Sequence, residues 1–154
     1  MGYALSIDEL KQKFGDVTLE IISHKENIRT SCVRRASDNA VVAYSIVIFH
    51  SEGIAAFGDE LHNQILSGRP VGETIKNSGI PHERTVSEPT SSKVNLELSF
   101  LFNTKKDTCV SRMVSYKISN FPYASITEFY NPEFTPVGNN LMESKEGKLQ
   151  EGIL

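Results

Sequence analysis

Ala124-Ser125-Ile126-Thr127-Glu128-Phe129-Tyr130, running into Asn131-Pro132, is the stretch from which the architecture can be built outward. Strand side chains alternate between faces, so Ala124, Ile126, Glu128 and Tyr130 point the same way. A carboxylate therefore shares a face with apolar neighbours. Burying it uncompensated is costly, so a cationic or hydrogen-bonding partner is expected. The preceding strand, Val110 to Ile118, offers one: its even positions are Val110, Arg112, Val114, Tyr116 and Ile118. Opposite charges aimed at apolar faces of neighbouring strands imply a sealed, polar-floored pocket for a small anion.

Working back towards the N-terminus, Ser6 and Glu9 form a capping box for a helix with Leu5, Ile7, Leu10 and Phe14 as its apolar stripe, stopped by Gly15. Val17 to Ile21 alternates as a strand, and Ile28 to Arg35 is a second. After the turn Ser37-Asp38-Asn39, the run Ala40 to Phe49 is nearly all apolar, as a central strand covered on both faces should be. Ile54, Phe57, Leu61 and Ile65 carry the spacing of one helix ending at Ser67-Gly68. The connector Arg69-Pro70-Val71-Gly72 leads to a short helix from Glu73 to Asn77. Ile80 to Lys93 holds one strand at most. Val94, Leu96, Leu98, Phe100 and Phe102 alternate with Asn95, Glu97, Ser99 and Leu101, so 94–102 reads as a strand in a hairpin with Thr108 to Ile118.

These pieces predict an α+β fold: a mostly antiparallel sheet of about six strands, with helices on one face. One domain is expected over residues 1–132, with residues 133–154, rich in Gly, Asn, Glu and Lys, as a tail. A chain of 154 residues can bury a real core without metal or disulfide staples. Its formal net charge of -3, with no basic block, argues against a nucleic-acid surface. The longest apolar run is too short to span a bilayer, and the N-terminus lacks the start of a secretory signal. Cys32 and Cys109 read as reduced, buried thiols, consistent with a cytoplasmic protein. There is no phosphate-binding Gly-rich loop, no Gly-x-Ser-x-Gly elbow, and no ligand spacing among His24, His50, His62 and His82. Neither metal, nucleotide nor covalent catalysis is expected.

The order of the pieces resembles the chorismate pyruvate-lyase family (chorismate lyase-like fold). Ile28-Arg29 opens a strand that leads through an Asp-containing turn to the central apolar strand. Arg69-Pro70-Val71-Gly72 is similar to the family's Thr-Pro-Leu-Gly connector, and Ser125 to Pro132 to its terminal Leu-Thr-Glu-Leu-Phe-x-Pro. The resemblance spans Ile7 to Pro132. It implies cofactor-independent elimination of pyruvate from chorismate to give 4-hydroxybenzoate. Arg29 would clamp the substrate carboxylate, with Arg34 and Arg35 as alternatives, and Glu128 would contact the ring hydroxyl and manage a proton. Arg112 would be a second cationic group, and Leu10 and Val71 apolar walls. Such chemistry suits these residue types: a guanidinium holds a carboxylate bidentately, and a positioned carboxyl can assist proton transfer.

Taken singly, Arg29 also fits a strand-end surface arginine, Glu128 an edge-strand charge, and Arg112 the ion-pair partner of Glu128. The expected partner is a small molecule, chorismate or a related ring carboxylic acid, with no nucleic acid and no membrane; the oligomeric state is not legible. The alternative function is a non-catalytic aromatic-acid binding or sensing module. The same fold recurs in effector-sensing domains of transcription regulators, although the segment before the first strand is too short for a DNA-binding domain.

Overall fold

The computed structural model describes residues 7–134. Twelve elements follow in order: α1 (Ile7–Phe14), β1 (Val17–Lys25), β2 (Ile28–Arg35), β3 (Val41–Phe49), α2 (Ser51–Phe57), α3 (Asp59–Leu66), α4 (Val71–Ser78), β4 (His82–Val86), β5 (Thr90–Lys93), α5 (Leu96–Phe102), β6 (Thr108–Ile118) and β7 (Phe121–Tyr130). The expected α+β architecture is present. Its sheet has seven strands in the order β1-β2-β3-β7-β6-β4, with β5 also on β6, and every pairing is antiparallel. β3 is central, as its unbroken apolar run demands. The expected Ser6 cap and most of the expected tail lie outside the described residues.

Register assigns the faces. Ser31 lies opposite Ser45, Ser45 opposite Glu128, and Glu128 opposite Arg112, so these four share one face. Helices α1 to α4 cover that face. Val47, Phe49, Phe57, Ile65, Ile75, Tyr123, Ala124 and Ile126 form its main core. α2 lies so close to β7 that a Cβ on Gly53 would collide with the Pro122 carbonyl oxygen and the Tyr123 Cα. At the other end of β7, the buried Asn131 donates from Nδ2 to the Val41 and Phe102 carbonyls at 2.7 and 3.0 Å. Beyond the sheet, Glu133 accepts from Thr104 at 2.6 Å, and Phe134 stacks edge-on against Phe14.

Three elements differ from expectation. The single helix over Ile54 to Ile65 is two, because Gly58 sits at φ 98, outside helical geometry, and separates α2 from α3. The segment expected to hold one strand at most holds β4 and β5. Their residues are mostly exposed, and they are held by hydrogen bonding to β6 rather than by burial. The third difference is larger: the strand expected over 94–102 is helix α5. Its buried residues, Leu98 and Phe102, stand four apart on one helical face, while Leu96 and Phe100 are 74% and 78% exposed. The Asn95 side chain caps it by accepting from the Leu98 amide at 2.8 Å, and Asn103 ends it at φ 53. α5 packs on the sheet face opposite the other helices, against Cys32, Tyr44 and Phe129. β6 therefore pairs with β4 and β5 rather than with a strand over 94–102, and its hairpin is with β7 through Ser119-Asn120. Among the described residues, no helix is long and apolar enough to cross a membrane.

Helical capping at Asn95 makes the reassignment testable. Asn95→Ala should lower stability by about 1 kcal/mol in urea denaturation, and Asn95→Asp should restore most of it. Equal stability of all three proteins would contradict the capped helix.

Candidate functional site

Between the covered sheet face and helices α1 and α4 lies a cavity of about 650 Å³. Its floor is the polar row across the sheet: Arg29, Ser31, Ser45, Glu128 and Tyr130, set among Val33, Ala43, Val47, Val114 and Ile126. Leu10 from α1 and Val71 from α4 are buried walls. The cavity is not sealed, as the sequence had suggested. Exposed side chains of α4 and β4, including Lys76, Asn77, His82 and Arg84, line its mouth.

Arg29 is 2% exposed. Its Nη1 donates to the Ile65 carbonyl at 2.7 Å and the Arg69 carbonyl at 3.2 Å, while Nε has no hydrogen-bond partner among the described residues. Ile65 lies in the last turn of α3, where the free carbonyls and the helix dipole favour a cation. Burial draws the Arg29 pKa below its ordinary value, with Tyr123 opposing; an arginine there nonetheless stays charged. The alternatives Arg34 and Arg35 do not line the cavity. Arg34 pairs with Glu20 at 2.6 Å, and Arg35 forms a two-point contact with Asp38 at 3.0 and 2.7 Å.

Glu128 lines the cavity two strands away from Arg29. Two strand spacings and two residues along the sheet place the Cα atoms about 12 Å apart. Tyr130 donates its hydroxyl to Glu128 Oε1 at 2.6 Å. Burial pushes the Glu128 carboxyl up to about 7, outweighing the Tyr130 hydrogen bond and the nearby Arg84 and Arg112, while Glu9 acts in the same direction as burial. Arg112, 1% exposed, stands directly opposite Glu128 on β6 but is not among the cavity-lining residues. Burial lowers its pKa against the opposing influence of Tyr130, Glu128, Glu88 and Glu9. Of the five residues singled out from sequence, the cavity thus gathers Arg29, Glu128, Leu10 and Val71.

Sequence reasoning passed over Ser31, Ser45, Tyr116 and Arg84. Strand parity could have found the serines, since Ser31 shares a face with Arg29 and Ser45 with Val47. Tyr116 was visible on the face of Arg112, and α4 meets it at Gly72, where a Cβ would lie 2.6 Å from the Tyr116 hydroxyl and the side chain would have to shift. Arg84 had no signal, because the Ile80 to Lys93 segment was read as holding one strand at most, with no strand placed at Arg84.

No family model matches the sequence. No curated protein matches it either. Solved structures do. A possible transcriptional regulator, YydK from Bacillus subtilis, aligns with a TM-score of 0.61 at 12% identity over 88% of this chain and 66% of that one. The chain therefore spans just under two thirds of YydK. The gene product SA0254 of Staphylococcus aureus aligns at 0.57, with 12% identity over 78% and 85%. The C-terminal domain of the histidine utilization repressor from Pseudomonas syringae pv. tomato aligns at 0.53, with 8% identity over 88% and 100%. At these identities the likeness carries the fold, the chorismate lyase-like (UTRA) fold, and not membership of the chorismate pyruvate-lyase family. The expectation of a lyase is overturned on this finding, because the named functions among these structures are those of transcription regulators.

The raised Glu128 pKa fixes a pH dependence. The carboxyl holds its proton up to about pH 7 when folded but only to about its ordinary value of 4.5 when unfolded. Between those values the folded state binds more protons, so its contribution to stability is full at low pH and is lost as pH rises through 7. The wild type should lose about 2–4 kcal/mol from this group between pH 4.5 and 8. Glu128→Gln should lack that component in urea denaturation at pH 5 and pH 8. An identical pH slope in both proteins would contradict the burial of the carboxyl.

Proposed function

We propose that this chain is a non-catalytic small-molecule-binding module, a sensor whose ligand is a small ring carboxylic acid. The observation that carries the reading is Arg29, a buried guanidinium on the cavity floor whose Nε lacks a partner. A planar carboxylate is the natural complement of such a group. The cavity volume of about 650 Å³ lies in the range of small-molecule sites. Its apolar walls would hold a ring, while Ser31, Ser45 and Glu128 would meet its polar substituents. The use of this fold by regulators supports sensing over turnover.

Arg29 also gives a sensor its output. The same guanidinium that faces the ligand holds the carbonyls of Ile65 and Arg69, on either side of the α3–α4 connector. Gly68 in that connector sits at φ 125, a conformation that only glycine adopts without strain. A ligand drawing on Arg29 therefore acts on the attachment of α4, whose first residue, Val71, lines the cavity. Differential contact with two positions of this connector would let a ligand shift their populations.

Calorimetry with 4-hydroxybenzoate tests the reading. The protein should bind this acid, and Arg29→Lys, which keeps the charge but loses the planar fork, should weaken binding at least tenfold, about 1.4 kcal/mol. Incubation with chorismate should release no pyruvate. Failure of 4-hydroxybenzoate and related ring acids to bind, or equal affinity in Arg29→Lys, would contradict it.

A further inference from the structure

Helices α1 to α4 cover one face of the sheet, and α5 shields only half of the other, over Cys32, Tyr44 and Phe129. Among the described residues, no other helix packs on the remaining half. Two ladder rows cross it through β2, β3, β7 and β6, one running from Thr30 to Met113 and the next from Ile28 to Ser115. Both rows hold only Ile, Met, Ser and Thr, and Ile28, Ile48 and Met113 are exposed. Charge is confined to the margins, with Lys25 at the β1 edge and Glu83 and Lys117 at the β4 edge. α5 itself is apolar on two opposite sides. Leu98 and Phe102 face the sheet, while Leu96 and Phe100 stand on the far side and are exposed. A helix apolar on both sides is suited to lie between two apolar layers. The described residues supply one of them.

We propose that the second layer is the bare half-face of another copy of this chain. With two sheets set face to face, a two-fold axis running across the strands lays each α5 on the bare half of the other copy. Each copy offers what the other lacks: Leu96 and Phe100 are the ridge, and the row through Ile28 and Ile48 is the floor. α5 lies over β2, β3 and β7 at one end of the face. The axis brings it onto the same strands at the other end, where Ile28 and Ile48 stand next to each other in register. Because the bare rows carry no charge, the face does not repel its own copy. At about 4.8 Å per strand and about 7 Å per ladder row, the four strands leave about 270 Å² bare. The two-fold covers such a patch twice and buries both sides each time, about 1,100 Å² in all, at the lower end for specific protein pairs. The other copy lies behind the strands whose opposite face carries Arg29, Ser45 and Glu128, so pairing leaves the cavity open. The pairing holds whatever the cavity binds.

Sedimentation equilibrium of the full chain, from about 1 to about 100 μM, tests the pairing. The wild type should approach twice the chain mass as concentration rises. Phe100→Glu and Ile48→Lys should each weaken the dimer at least hundredfold while keeping a cooperative thermal melt. Leu96→Glu takes the place of Phe100→Glu if that variant proves unfolded. Mixed in equal amounts, the acidic and basic variants should pair again. One of the two symmetric contacts is then unaltered, and the other sets the introduced carboxylate against the introduced ammonium. A wild type that stays monomeric, leaving this surface to residues 135–154 or to a different protein, overturns the inference. So does a dimer indifferent to both substitutions. Two monomeric variants that stay apart when mixed overturn it as well.

Discussion

One buried guanidinium joins the two layers of this molecule. Arg29 rises from β2 and is received by the backbone carbonyls of Ile65 and Arg69, so the sheet is bonded directly to the end of α3 and to the start of the connector into α4. The carbonyls at a helix C-terminus need donors, and a buried arginine needs acceptors. Each solves the other's problem. The arrangement costs the guanidinium its hydration, and Nε is left buried without a partner among the described residues. The group that locks the layers is thus also the group most in need of an anion.

The rest of the site follows from what the sheet places beside it. The residues directly opposite one another across β2, β3, β7 and β6 give the row Ser31, Ser45, Glu128 and Arg112, with the charges at the β7–β6 end. Because α1 and α4 cover this face, the carboxyl of Glu128 is withdrawn from bulk water and holds its proton to an unusually high pH. Ionisable groups shifted by burial and facing a cavity mark binding sites as readily as catalytic ones. The cavity therefore holds a guanidinium and a carboxyl about two strands apart, with apolar residues between them.

Much of this was legible in residue order. The parity of Glu128 and of Arg112 was correct, and so was the pairing of their strands, because a one-residue slip would expose an entire apolar set. The central position of β3 followed from its continuous apolar run. The 94–102 segment misled because its alternate apolar residues include Leu98 and Phe102, whose four-residue separation serves a helix equally well. Asn95 and Asn103, residues suited to cap and end a helix, were the signals that could have decided it. β4 and β5 were hidden by their polarity, since edge strands paired only on one side need little apolar content. With them Arg84 was hidden too. The lyase assignment drew on short motifs that position the pocket, and those motifs belong to the architecture more than to the reaction.

The central claim is that Glu128 lies in the same shielded cavity as Arg29. A carbon-13 NMR titration of the Glu128 side-chain carboxyl, run with and without 4-hydroxybenzoate while following the Arg29 Nε–H signal, tests it directly. The account predicts a midpoint near 7 in the empty protein, with the Glu128 and Arg29 signals both shifting over the same range of ligand concentration. A midpoint in the ordinary carboxylate range, or a ligand response confined to one of the two residues, would contradict it.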